Sequence, residues 1–175
     1  MAVQSPKEYG FVVLVFLFYV FCNLWMSFQV GKARKRYKVF YPTLYAVESE
    51  NKDAKLFNCV QRGHQNSLEM MPIFFVLLLL GGLRHPLIAS GLGLFYTVAR
   101  YFYFKGYATG VPENRLKIGY SFSLSLSLSG SCSCSRSRST IKSVLETIFV
   151  RQFNYFALLG LIGCNLSLAL TLLRS

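Results

Sequence analysis

Apolar and polar positions alternate along this chain on a long wavelength: four extended apolar runs are separated by polar, mostly basic connections. The first run covers residues 10–30 and includes FVVLVFLFYVFCNLWMSFQV, which is rich in aromatics and has no charged side chain. It reaches the roughly 20 residues that a helix needs to cross ~30 Å of hydrocarbon. A cleaved signal peptide is the rival reading, but the run is long and no small-residue cleavage site precedes the basic cluster after it, which favours a retained span. The second run, residues 67–83, contains MMPIFFVLLLLGGL, and its polar N-terminal side is expected to continue the same helix back towards Ala54. The third, residues 86–104, opens on Pro86, a residue suited to the first turn of a helix because its missing N–H would be unpaired there anyway. The fourth is residues 153–173. The pattern predicts an all-α, integral membrane four-helix bundle.

The connection before the fourth run is anomalous. Residues 121–139, SFSLSLSLSGSCSCSRSRS, are of low complexity. Strict Ser/Leu alternation has the period of a strand, but a lone strand without a partner is unstable. A TC dinucleotide repeat translates as the same alternation, TCT-CTC giving Ser-Leu, so the tract is expected to carry no function of its own. After it, Ile141, Val144, Leu145, Ile148 and Phe149 have helical spacing suited to lying along a membrane surface. The expected organisation is thus residues 1–119 with three spans, an insert over 120–152, and a fourth span within 153–175.

Composition supports the membrane reading. The 175 residues have room for one domain. Hydrophobic residues make up 53% and charged residues only 15%, against about 25% charged in soluble proteins. Too few charges remain to cover a water-facing surface. Net charge is +12, from 19 Lys+Arg and 7 Asp+Glu. The cations are segregated: Lys32, Arg34, Lys35, Arg36, Lys38, Lys52, Lys55 and Arg62 fall between the first two runs, and seven more lie from Lys105 to Arg151. The other side has only Lys7, Arg84 and Arg174. The positive-inside rule then places both basic connections in the cytosol and both termini on the opposite side. Cations directly after an apolar run suit anionic headgroups, and nucleic acid is not expected as a partner. The five cysteines form no CxxC or His-spaced pair, so reduced thiols and no metal are expected.

Candidate chemistry concentrates in RGHQNSLEMMP. Arg62, Asn66 and Glu69, at i, i+4 and i+7, share one helical stripe. Glu69 immediately precedes an apolar stretch, where an ionisable group is expensive and points to a partner or a cavity. The plainer reading is an interhelical salt bridge that holds the bundle together. A second stripe, Arg100, Tyr103 and Tyr107, stands near the end of the third run; its plainer reading is an interfacial aromatic belt with a snorkelling arginine. Arg115, in GVPENRLKIG, reads from spacing alone as one more cytosolic cation. Cations, a carboxylate, an amide and phenols at two helix ends suit a small ligand bearing carboxylates and an amine. An ion channel would want rings of like groups instead.

These residues resemble a known family. RGHQNSLEMMP is similar to the R-x-H-x-N-x-x-E motif of the membrane-associated proteins in eicosanoid and glutathione metabolism, the MAPEG family, and the resemblance extends from Lys7 to Gly119 through FQVGKARKRYKV, YPTLYA, FNCVQRGHQN and RYFYFKGYATG. It implies a homotrimer of four-helix protomers in the endoplasmic reticulum membrane. Glutathione would serve as co-substrate between protomers at the cytosolic end, and a lipophilic electrophile or lipid hydroperoxide would enter from the membrane lipid. By position, Arg62, Asn66, Glu69, Tyr103 and Tyr107 match glutathione contacts, Arg34 matches a further one, and His64 fills a motif position; Arg100 completes the candidate binding set. Arg115 matches the arginine that stabilises the glutathione thiolate and is the expected catalytic residue. Met70 replaces the tyrosine of the leukotriene-forming relative, and residues 120–152 stand where family members have a short loop. The resemblance thus implies a glutathione transferase and peroxidase, the alternative being a non-enzymatic membrane protein that binds and presents lipid.

Overall fold

Each apolar run folds as a helix, and in a computed structural model each helix overruns the run that specified it. The structure describes residues 6–112 and 139–174, with side chains described at 7–112 and 155–174. Arg115 and the Ser/Leu tract lie outside the described residues. Helix α1 spans Pro6–Arg36, α2 Ala54–Arg84, α3 Pro86–Tyr107 and α4 Ser139–Arg174.

At 1.5 Å per residue, α1 and α2, 31 residues each, are about 46 Å long. That exceeds the hydrocarbon thickness of about 30 Å by several turns. The excess of α1 carries Arg34, Lys35 and Arg36 in its last turn, where cations complement the negative end of the helix dipole. The excess of α2 is the polar stretch from Ala54, which does continue the apolar run as one helix. It includes the Arg62–Glu69 segment. Pro86 occupies the first turn of α3, as expected. Helix α4 is 36 residues long and starts at Ser139. The spacing seen at 141–149 therefore continues into the apolar run on a single helix. No glycine or proline between 139 and 159 interrupts it.

Among the described residues, three helices are long and apolar enough to cross a membrane: α1, α2, and the Tyr155–Arg174 part of α4. Helix α3, expected as a span, is not among them, because Arg100, Lys105 and four tyrosines dilute its apolar content. Packing explains how it is accommodated. Val12, Val15 and Tyr19 of α1, Phe74 and Leu78 of α2, Ala89 and Tyr96 of α3, and Ala157, Leu158 and Leu161 of α4 form one buried core. A second core joins Met26, Val30 and Ala33 of α1 to Phe57 and Val60 of α2 and Phe104 of α3.

The outward surface is apolar. On α1, Phe11, Leu14, Phe18, Phe21 and Phe28 are 48–70% exposed and share one face by helical spacing. On α4, Phe156, Leu159, Leu166 and Leu170 do the same. Patches of this extent are rare on soluble monomers and are what a bilayer or a neighbouring helix covers. Some polar side chains inside the bundle find backbone partners. Asn165 Nδ2 donates to the Leu77 and Leu161 carbonyls, at 2.9 and 2.8 Å, tying α4 to α2.

Candidate functional site

Arg62, Asn66 and Glu69 share one face of α2, and the structure joins them. Arg62 Nη1 pairs with Glu69 Oε1 at 3.0 Å, and Asn66 Nδ2 reaches Glu69 Oε2 at 3.5 Å. Both members of the ion pair are more than two-fifths exposed, so water or a ligand can compete for either. Pro72 follows three residues later inside α2 and deprives the Leu68 carbonyl of its helical donor. The Tyr19 hydroxyl donates to the adjacent Ser67 carbonyl at 3.2 Å.

Helix α3 completes the arrangement. Arg100 Nη2 donates to Asn66 Oδ1 at 2.9 Å, and the Arg100 guanidinium lies 4.9 Å from the Tyr103 ring centroid. Tyr103 meets Tyr107 edge to face at 5.2 Å. The close approach of α3 to α2 here depends on Gly63, next to Arg62. A Cβ at that position would stand 3.1 Å from Tyr107 Cβ and 3.2 Å from Phe104 Cδ2, too near for either to be accommodated freely. One chain of contacts thus runs from Arg62 through Glu69, Asn66, Arg100 and Tyr103 to Tyr107.

Arg100 is only 4% exposed. Its surroundings form a buried polar layer that spacing along any single helix does not show. Tyr96 lies one turn before it, its ring centroid 5.8 Å from the guanidinium, and stacks on Tyr19 of α1 at 6.1 Å. Asn23, one turn beyond Tyr19, is 8% exposed. Asn23 Nδ2 and Oδ1, Tyr96 Oη and Arg100 Nε are buried without a hydrogen-bond partner. Buried polar atoms are ordinarily paired with protein or ordered water. Tyr19, Asn23 and Tyr96 are the residues that sequence reasoning missed. The available signal was Asn23, a lone amide in a charge-free apolar run.

The remaining predicted residues lie apart from this chain of contacts. Arg34 is 8% exposed; its Nη1 donates to the Thr43 carbonyl at 2.7 Å, and its guanidinium lies over Tyr41 at 4.5 Å and Phe57 at 5.0 Å. It braces the α1–α2 connection, as Asn58 does through two hydrogen bonds to the Ala46 backbone. That connection also sets Tyr45 beside Arg62. His64 is half-buried on α2 and outside the network. Arg115 lies outside the described residues. Among the described residues, no group of three or more His, Cys, Asp or Glu is placed to hold a metal, and Cys22, Cys59 and Cys164 are free thiols.

Comparison with known proteins adds a second line. Microsomal glutathione S-transferase 2 of Bos taurus is 36% identical over 100 residues, 54% of this chain and 64% of the relative. The Mus musculus and Homo sapiens proteins of the same name are 36% and 35% identical, again over 100 residues. The chain therefore covers somewhat under two thirds of these relatives' length. The motifs read from the sequence resemble microsomal glutathione S-transferase 3, a different member; the two readings meet at the family. The model of the MAPEG family matches residues 12–132, more than half of the 175, and includes α1, α2 and α3 whole but for the first turns of α1: the chain belongs to the MAPEG family.

Proposed function

We propose that this chain is a membrane-bound glutathione transferase that also reduces lipid hydroperoxides, working as a homotrimer in the endoplasmic reticulum membrane with its site towards the cytosol. The observation that carries the reading is the contact chain Arg62–Glu69–Asn66–Arg100–Tyr103–Tyr107 across α2 and α3. Glutathione has two carboxylates, one ammonium and one thiol. Arginine binds carboxylates through a planar fork of donors, and Glu69 is the carboxylate available for the ammonium. Because the Arg62–Glu69 pair is well exposed, parting it to admit the tripeptide costs little, about 0–1 kcal/mol. Arg34 and His64 join the site in this reading through the assembled trimer.

Arg115 is assigned the catalytic role. A free thiol with a pKa of about 8.5 is mostly protonated at neutral pH, and a neighbouring guanidinium favours the thiolate. The thiolate sulfur attacks the electrophile, forming a carbon–sulfur bond as the electrophile opens or loses its leaving group. With a hydroperoxide, one glutathione takes an oxygen as the O–O bond breaks and the alcohol leaves. A second glutathione then closes the disulfide and releases water.

The test is turnover by the full chain in detergent. Conjugation and glutathione-dependent hydroperoxide reduction are expected in wild type, and Arg115→Ala is expected to lose most of both. A normal rate in that variant removes Arg115 from the mechanism. Lipid binding without glutathione binding, read by calorimetry, would favour the non-enzymatic alternative.

A further inference from the structure

A second polar feature lies on another face of the bundle and plays no part in the proposed catalysis. A cavity of about 570 Å³ opens between α1 and α3. Trp25, Gln29, Lys32 and Arg36 line it from α1, and Phe104 and Lys105 from α3. The four α1 residues are spaced i, i+4, i+7 and i+11, so they lie on one helical face and follow a gradient along the axis. At 1.5 Å per residue, Lys32 lies about 10 Å and Arg36 about 16 Å beyond Trp25. The deep end is an aromatic cluster: Trp25 contacts Tyr101 at 5.2 Å and Phe104 at 5.6 Å. Lys105 Nζ stands 5.4 Å from the Tyr101 ring centroid. The shallow end carries Lys32, Arg36 and Lys105, with Tyr37 and Thr109 beside them, and among the described residues no Asp or Glu lines it.

Cations at helix C-termini have a simpler use, offsetting the helix dipole. Each helix end contributes roughly half a negative charge, so the ends of α1 and α3 together offset about one of the three cations. Arg34 and Lys35, in the last turn of α1, add to the surplus. Arg36 also borders a cleft containing Glu50 and Asp53, yet the ion pair found among the described residues is Arg62–Glu69. Among the described residues, the surplus positive charge therefore faces the cavity without a paired carboxylate.

The geometry points to a binding site for one anionic membrane phospholipid, its phosphate held by Lys32, Arg36 and Lys105 and its glycerol and upper acyl segment lying against Trp25 and Phe104. Free phosphate shares the headgroup chemistry but would use only the cationic end. The lipid alone also uses the apolar floor. A zwitterionic phospholipid has no net negative charge to balance three cations, whereas an anionic one has, so the site discriminates by net charge. This proposal is independent of glutathione chemistry.

The test uses the full chain in nanodiscs of phosphatidylcholine, with or without phosphatidylserine. Unfolding temperature and native mass spectrometry of retained lipid are the readouts. Phosphatidylserine is expected to raise the unfolding temperature and to remain bound to wild type. Each of Lys32→Gln, Arg36→Gln and Lys105→Gln should weaken retention about fivefold, the equivalent of ~1 kcal/mol per basic side chain near a membrane surface. Their unfolding temperatures in phosphatidylcholine alone should match wild type, which separates lost binding from lost folding. Lys35→Gln with Lys38→Gln, outside this cavity, should retain the response. Three results would overturn the site: no wild-type response to phosphatidylserine, equal loss in the Lys35/Lys38 control, or the same stabilisation from inorganic phosphate in phosphatidylcholine discs.

Discussion

Asn66 and Arg62 are neighbours on α2 with opposite energetic characters. Asn66 accepts from Arg100, whose guanidinium is almost wholly buried, while Arg62 pairs with Glu69 near solvent. Removing the amide strands a buried charge-assisted donor, which costs about 1–3 kcal/mol; breaking an exposed ion pair costs about 0–1 kcal/mol. Asn66→Ala should therefore lower stability in detergent clearly more than Arg62→Ala, measured by thermal unfolding. Arg62→Ala should instead raise the Kd for glutathione with little change in unfolding temperature. If Arg62→Ala and Glu69→Ala impair folding together and leave no ligand effect, the stripe is structural. Arg62, Asn66 and Glu69 were legible in the sequence because helical periodicity alone sets them on one face. Arg100 was legible as a member of its own stripe, but its bond to Asn66 was not.

Between elements, the decisive contact is the approach of α2 to α3 at Gly63. Alanine inside a helix ordinarily gains about 0.5–1 kcal/mol over glycine. At Gly63 the new methyl would meet Tyr107 Cβ at 3.1 Å, an atom fixed to the α3 backbone, and overpacking of this kind costs about 1–3 kcal/mol. Gly63→Ala is expected to destabilise the protein and to weaken glutathione binding by displacing Tyr107. Gly91→Ala on α3, where nothing stands within 4 Å, is expected to stabilise it slightly. Unfolding midpoints of opposite sign would check both. Helix α3 also makes its own prediction. If it spans the bilayer despite its diluted apolar content, thiol reagents that do not permeate should label His85→Cys and Lys105→Cys from opposite sides of sealed microsomes. Labelling of both from one side would leave three spans.

For the molecule as a whole, the outward faces of α1 and α4 are apolar, as the buried cores are, while a few polar side chains such as Asn23, Ser67 and Arg100 are buried inside, the arrangement expected when lipid or a second protomer is the surroundings. The low-complexity tract is expected to add nothing to ligand binding. Deleting residues 121–139 should leave glutathione affinity and the proposed trimer intact, measured by calorimetry and native mass spectrometry. A loss of affinity beyond about tenfold, or ~1.4 kcal/mol, would give the tract a role.

By itself the sequence determined the helices and their solvent. Apolar runs of about 20 residues leave the backbone no partner in hydrocarbon but itself, so they must be helical. It also determined which side chains share a helical face, a matter of local geometry. Only the tertiary structure decided which faces meet: that Arg100 reaches Asn66, that Arg34 turns to the Thr43 carbonyl, and that Tyr96, stacked on Tyr19, backs the buried guanidinium. The reason is that periodicity names a face without naming its neighbour. The neighbour depends on where small residues such as Gly63 let two backbones close together.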